Sequence, residues 1–107
     1  MDKYALRYLP LFYDDFSEIV DYISKELKNP QAALELIDLV EEAITKRREN
    51  AEAFGSFHTK RERRYPYYRI NVKNFTVFYV IIDDQGPQKI MEVRRILYSM
   101  RNLEELL

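Results

Sequence analysis

The apolar residues of this chain predict a single α+β domain in which a helical hairpin packs on an antiparallel sheet. Two segments before residue 50 repeat apolar residues at helical spacing, whereas the chain after residue 64 has the patterns of strands, alternating over residues 65–72 and apolar on both faces over residues 75–82. A short alternating segment comes first, so the predicted element order is β-α-α-β-β-β. With 107 residues, of which 47% are hydrophobic, residues 1–107 are sufficient for one domain with one core.

A proline separates the predicted first strand from the first helix. Residues 3–9 alternate well enough for a short strand, and Pro10 ends it. The helix that follows begins with acidic residues, since Asp14, Asp15 and Glu18 fall where the helix dipole favours negative charge. We expect these carboxylates on a solvated, outward face. The inward stripe has helical spacing and consists of Phe16, Ile19, Val20, Ile23 and Leu27.

The pair Asn29-Pro30 predicts the start of a second helix. Asn caps helices, and Pro is tolerated at the first helical position because its missing N–H would have no partner there. The helical pattern then continues to about Asn50, and the short link predicts that the two helices lie antiparallel. The expected buried face consists of Ala33, Leu36, Ile37, Val40, Ala43 and Ile44.

Three strands are predicted in the second half of the chain. Residues 65–72 alternate, and Lys73-Asn74 forms a tight turn. Phe75–Ile82 is apolar on both faces, which is typical of a central strand covered on both sides. A second turn over residues 83–87 precedes the last strand, Lys89–Tyr98.

The composition excludes several classes of function. The chain has no Cys, 1 His and 2 Gly, so it lacks a disulfide framework, thiolate ligands and a glycine-rich phosphate loop. We expect neither a metal nor a cofactor. The apolar run Phe75–Ile82 is too short to cross a bilayer, and acidic residues interrupt the region where a signal peptide would have its apolar core. We therefore expect a cytoplasmic protein without a membrane partner.

Charge is distributed unevenly along the chain. Residues 1–50 carry 7 Lys/Arg against 11 Asp/Glu, whereas residues 51–107 carry 10 against 7. Arginines among tyrosines on a sheet suit phosphate binding and base stacking. A solvated basic loop with edge-strand charges that prevent aggregation explains the same pattern. The basic side chains between residues 58 and 73 are Lys60, Arg61, Arg63, Arg64, Arg69 and Lys73.

Four segments together resemble toxins of the RelE/ParE superfamily. The opening YALRYLPLFYDDFSEIVDYISKEL is similar to their first strand and helix, and NPQAALELIDLVEEAI to their second helix. YPYYRINVKNFTVFYVIID resembles their second and third strands, and VRRILYSMRNLEELL their last strand and tail. The order and spacing of these segments cover nearly the whole chain. The resemblance implies the toxin of a type II toxin–antitoxin pair, which a protein antitoxin neutralises.

The resemblance implies candidate site residues for the RelE-type members, which cut mRNA on the ribosome. In these metal-independent ribonucleases, basic residues on the sheet activate the 2′-hydroxyl of RNA and stabilise the phosphorane. Arg69 matches the basic residue of the second strand, and Arg101 matches the arginine after the last strand. Tyr98 stands where many members have histidine and is the candidate proton donor. The candidate RNA-binding residues are Lys60, Arg61, Arg63, Arg64 and Lys73.

Two positions depart from the ribonuclease pattern. Thr76 stands where the ribonucleases have an arginine in the third strand, and Asn71 where they often have a lysine. The loss of two cations weakens stabilisation of the phosphorane. The ParE-type members, which poison DNA gyrase, require no such cations.

Three functions therefore stay open. The leading hypothesis is a ribosome-dependent endoribonuclease acting on mRNA, and the alternatives are a gyrase-directed toxin and a relative that only binds its antitoxin. The nine Tyr and six Phe predict exposed aromatic contact area for an antitoxin. The same surface predicts that the free toxin self-associates, for example as a homodimer.

Overall fold

The computed structural model describes residues 3–57, 64–100 and 107. Within these ranges, two α-helices and four strands follow the predicted order, and a π-helical turn extends the first helix. Their bounds are β1 Tyr4–Tyr8, α1 Pro10–Asp21, the π-helical turn Tyr22–Glu26, α2 Pro30–Arg48, β2 Tyr68–Val72, β3 Phe75–Ile82 and β4 Lys89–Tyr98. Among the described residues, no helix combines the length and the apolar character that crossing a membrane requires.

The four described strands form one sheet in the order β1-β4-β3-β2. β2, β3 and β4 pair antiparallel with β3 between its two neighbours, which confirms the predicted central strand. β1 pairs in parallel with β4, with Tyr4 opposite Lys89 and Tyr8 opposite Val93. The α+β fold is thus confirmed, but the sheet as a whole is mixed. Periodicity identifies β1 as a strand without specifying its partner, which lies at the other end of the chain.

The outer edge of β4 changes partner halfway along the strand. A β-bulge shifts the register so that Phe78 lies opposite Arg95 and Tyr79 opposite Val93. β1 ends opposite Val93, and helix α1 lies beside the second half of β4 instead. The Asp15 carboxylate accepts the backbone N–H of Ile96 at 3.2 Å, in place of a strand carbonyl.

Three expectations for the first helix are corrected. α1 begins at Pro10, so the acidic residues lie beyond its first turn. Asp15 is 10% exposed rather than solvated, because it pairs with Arg95. Leu27 is 56% exposed, since the wider π-helical turn rotates the residues after it out of the inward stripe. Lys28, with φ 51°, takes the left-handed conformation where this helix ends.

Helix α2 follows its sequence pattern closely and is attached to both edges of the sheet. The Asn29 side chain accepts the N–H of Ala32 at 3.1 Å, which is the predicted cap. The helix ends at Arg48, two residues before the predicted end, and its buried residues are Ala33, Leu36, Val40 and Ile44. At its C-terminal end, Arg47 donates to the carbonyl of Arg69 in β2 at 2.9 Å. The next residue, Arg48, donates to the carbonyl of Tyr4 in β1 at 2.9 Å.

The sheet separates two apolar clusters. The first lies between the sheet and the helices and includes Phe12, Val40, Ile44, Tyr79 and Ile96. The second lies on the opposite face and consists of Tyr67, Phe78, Val80, Ile82, Leu97 and Leu107. β3 contributes to both clusters, which confirms its predicted two-sided burial.

Candidate binding face of the sheet

The face of the sheet opposite α1 and α2, called the helix-free face below because neither of these two helices packs on it, carries arginines from three strands. Because side chains alternate along a strand, the register places Arg7, Glu92 and Val80 in one row on this face. The neighbouring row consists of Arg95, Phe78 and Arg69. Phe78 and Val80 belong to the second apolar cluster, so the charged groups surround a hydrophobic floor.

Glu92 holds two of these arginines in place. Its side chain is buried, with 4% of the residue exposed, yet it carries a carboxylate. That carboxylate accepts from Arg7 through Nε at 2.8 Å and also through Nη2. Arg94 donates to the other carboxylate oxygen from Nε at 2.9 Å. One carboxylate shared by two guanidiniums leaves one net positive charge on the group.

Aromatic rings lie close to two arginines of this face, Arg69 in β2 and Arg94 in β4. The Arg69 guanidinium lies 4.9 Å from the ring centroid of Phe57, and that of Arg94 lies 6.0 Å from the ring of Tyr67. The two rings stack with centroids 6.0 Å apart, and their residues are joined by backbone hydrogen bonds. Such cation–π contacts keep a guanidinium near a ring, and anions are recognised by the guanidinium N–H groups.

Between β2 and β3, the same face has a neutral polar network. Thr76 is 2% exposed, and its hydroxyl donates to the Asn71 side-chain oxygen at 3.1 Å. The Thr76 and Ser99 hydroxyls lie 2.7 Å apart. These short polar side chains satisfy one another and contribute no cation.

The structure separates the candidate catalytic residues that it describes. Arg69 is exposed on the helix-free face. Tyr98 lies opposite Phe75, which packs against the first apolar cluster, so Tyr98 projects from the helix side of the sheet. The Arg69 and Tyr98 side chains therefore do not face a common cleft. Arg101, the third candidate, lies outside the described residues.

The candidate RNA-binding residues are dispersed as far as they are described. Lys73 is exposed in the β2–β3 turn with φ 55°. Arg64 pairs with Asp84 in the β3–β4 turn. The other candidates, Lys60, Arg61 and Arg63, lie outside the described residues.

Sequence reasoning did not single out Arg7, Glu92 and Arg94. Their relation depends on the pairing of β1 with β4, which joins residues 85 positions apart in the chain. The signal present in the sequence is that Glu92, Arg94 and Arg95 are the charged residues within the otherwise apolar segment 90–98.

A groove of about 770 Å³ lies on the helix side, between α1 with its π-helical turn and the adjoining ends of β3 and β4. Its apolar lining includes Ile19, Ile23, Phe75, Ile96 and Leu97. Three large side chains at the groove remain exposed, Tyr22 by 56%, Leu27 by 56% and Tyr98 by 45%. Such a concentration of exposed apolar side chains is typical of a protein-binding surface.

A second polar cluster lies where β1 and β4 begin. Glu52 accepts from the Tyr4 hydroxyl and from the Lys89 ammonium, each at 2.8 Å. Burial, together with the hydrogen bond to Glu52, raises the pKa of Tyr4 to about 12. The Lys89 hydrogen bond holds the pKa of Glu52 below its usual value. All three groups are paired, so this cluster is structural.

Among the described residues, no group of three or more His, Asp or Glu side chains is placed to hold a metal ion.

Comparison with known proteins assigns the family. The chain is a toxin of the RelE/ParE superfamily. More specifically, residues 6–103 match the model of the ParE toxin of the type II toxin–antitoxin system parDE, and the chain belongs to that family.

A structural comparison agrees with this fold assignment. The fold is similar to that of a chain from the chromosomal ParDE TA system from P. aeruginosa, with a TM-score of 0.65 and 16% sequence identity. The alignment covers 90% of this chain and 96% of that chain. A sequence search of curated proteins gave no match.

Proposed function

We propose that this protein is the toxin of a ParDE-type pair, that a protein antitoxin neutralises it, and that it acts by binding DNA gyrase. The match of residues 6–103 to the ParE toxin family carries this proposal. On this hypothesis the toxin is a binding protein, and it needs no group that performs acid–base chemistry.

The neutral network on the helix-free face supports binding over RNA cleavage. Thr76 and Asn71 stand where the ribonucleases that this chain resembles carry cations, and here they hydrogen-bond to each other. Cleavage of RNA without a metal needs groups that stabilise the phosphorane, and the loss of one such group typically costs about 100-fold in rate. Tyr98, the candidate proton donor, projects from the other side of the sheet.

The groove on the helix side supports the antitoxin part of the proposal. Its exposed side chains Tyr22, Leu27 and Tyr98 offer contact area that a partner's apolar segment would cover. The wider π-helical turn is what brings Leu27 out of the helical stripe and onto this surface.

Inducible expression tests the proposal. We expect growth inhibition that co-expression of the cognate antitoxin reverses, and inhibition of DNA supercoiling by purified gyrase when the purified toxin is added. RNA ends mapped before and after induction should be unchanged. Growth inhibition with normal supercoiling and new RNA ends would refute the gyrase mechanism.

A ribosome-dependent endoribonuclease is the second candidate, and the exposed Arg69 on an arginine-rich face favours it. On this hypothesis Arg69→Ala should abolish new RNA ends and relieve growth inhibition while antitoxin binding persists. A chain that binds the antitoxin but affects neither RNA nor gyrase would be the third alternative, a relative that only binds antitoxin.

A further inference from the structure

We propose that Arg7 and Arg94, held by the buried Glu92, form a binding site for the phosphodiester backbone of nucleic acid. The site lies on the helix-free face, away from the groove. It extends the proposed function, because gyrase acts on DNA and a toxin bound to gyrase would lie near a DNA strand.

The geometry of Glu92 indicates a positioning role. A carboxylate that is 95% removed from solvent is costly to bury, and an ion pair at such a depth contributes little net stability. Its contribution is instead to orientation, since it fixes one edge of Arg7 and the Nε of Arg94. Both arginines keep exposed surface, 46% for the Arg7 side chain and 22% for Arg94, so their remaining N–H groups can meet a ligand.

The charge of the surrounding face fits an extended anion. Arg69 follows in the neighbouring row, across two strand spacings of roughly 4.8 Å each from β4. Arginines from β1, β4 and β2 therefore span the sheet, and the Glu92 carboxylate is buried and paired with Arg7 and Arg94.

A nucleic-acid strand fits this surface better than an acidic peptide. A strand in a duplex carries a phosphate at about every 3.4 Å, so it presents several phosphates across a face of this width. The planar guanidinium fork matches phosphate oxygens, and Arg69, whose guanidinium lies 4.9 Å from the Phe57 ring centroid, offers a third fork. Asn71 and Thr76, two rows along the same face from Glu92, are neutral and add no cation that would stabilise the phosphorane of a cleavage reaction.

Binding is tested with a fluorescein-labelled DNA strand of about 20 nucleotides, its duplex and the matching RNA, by anisotropy between about 50 and 200 mM salt. We expect Arg7→Met and Arg94→Met each to weaken binding about tenfold. Each should also make the dependence of log K on log salt shallower by about 0.7 to 0.9. Lys46→Met is the matched control, since it removes the same charge from the exposed face of α2 and should change affinity by less than about twofold.

Two further variants separate positioning from simple charge attraction. Glu92→Gln adds net positive charge, so attraction alone would tighten binding, whereas loss of positioning weakens it. The double variant Arg7→Lys with Arg94→Lys keeps both charges and loses both forks, and we expect it to bind more weakly than the parent. This double variant keeps the test valid if Glu92→Gln fails to fold, which urea denaturation would reveal.

The site is overturned if the Arg7 and Arg94 variants bind the oligonucleotides like the parent protein. It is also overturned if an unlabelled glutamate-rich peptide of equal charge displaces the labelled strand as well as an unlabelled oligonucleotide does. The three probes distinguish DNA from RNA as the source of the phosphates. Inhibition of DNA supercoiling by gyrase is measured with the same toxin preparations. If the toxin inhibits supercoiling but does not bind the oligonucleotides, only this site is refuted. If it binds the oligonucleotides but does not inhibit supercoiling, only the proposed function is refuted.

Discussion

The Asp15 carboxylate accepts two hydrogen bonds from the Arg95 guanidinium and one from the backbone N–H of Ile96. The side chains of Asp15 and Arg95 are 10% and 19% exposed, so removing the carboxylate takes an acceptor from a largely buried cation. We expect Asp15→Ala to lower the free energy of unfolding by about 2–4 kcal/mol, measured by urea denaturation.

Asp14 provides the control, because it is the preceding residue and is exposed. Asp14→Ala should change stability by less than about 0.5 kcal/mol. Equal effects of the two substitutions would contradict a special role for Asp15 at the edge of β4.

The raised pKa of Tyr4 predicts that the protein loses stability at alkaline pH. Burial and the hydrogen bond to Glu52 raise its pKa from 10.0 to about 12, so the folded state favours the neutral phenol. The resulting stability is complete below pH 10.0 and is lost as the pH rises toward about 12. We expect the stability of the parent protein, followed by urea denaturation over this window, to fall more steeply than that of Tyr4→Phe. The Lys89–Glu52 pair is kept in both proteins. If stability falls in parallel with pH for the two proteins, Tyr4 does not contribute to the pH dependence.

Among the structural elements, β3 and β4 have the bounds that the sequence predicts. Their signals are local, since turn residues precede each strand and Phe75–Ile82 is apolar on both faces. Alternation over residues 65–72 puts Arg69 and Asn71 on one face of the strand, which in the structure is the face opposite the helices. Local sequence patterns do not specify that β1 pairs in parallel with β4, so the site around Glu92 could not be predicted from them.

The first helix illustrates a different limit of sequence analysis. Acidic residues at helical spacing usually indicate a solvated face, and this holds for Asp14. Asp15 differs because β1 stops opposite Val93 and leaves backbone groups of β4 to be satisfied by the helix. The π-helical turn likewise has no counterpart in the apolar pattern of the sequence, and it changes the environment of Leu27.

Arg47 connects the C-terminal end of α2 to β2, so its substitution should lower the stability of the fold. Arg47 donates to the Arg69 carbonyl and the Tyr79 hydroxyl, and its guanidinium lies 3.7 Å from the Phe54 ring centroid. We expect Arg47→Met to lower the free energy of unfolding by about 1–3 kcal/mol in urea denaturation. Lys46→Met, at the adjacent exposed position, should change it by less than about 0.5 kcal/mol. A loss of equal size in both variants would indicate a general charge effect on the helix end.

At the scale of the whole molecule, the position of the groove predicts that a substitution there weakens antitoxin binding without lowering stability. Leu27 and Leu34 are both exposed, by 56% and 58%, but Leu27 lines the groove whereas Leu34 lies on α2 away from it. If the antitoxin occupies the groove, Leu27→Glu should weaken its binding by about tenfold or more in calorimetry. Leu34→Glu should leave the affinity unchanged, and both variants should unfold like the parent. Full affinity of Leu27→Glu would place the antitoxin elsewhere.

The parallel pairing of β1 with β4 also has a consequence for synthesis of the chain. Tyr4 leaves the ribosome 85 residues before its partner Lys89. At about 5–20 residues per second, β1 waits several seconds for the strand it pairs with. During that interval the chain has neither the Arg7–Glu92 pair nor the Asp15–Arg95 pair. A nascent toxin therefore completes its sheet only after Lys89–Tyr98 has been synthesised, and messages truncated before the codon for Lys89 yield chains without this face.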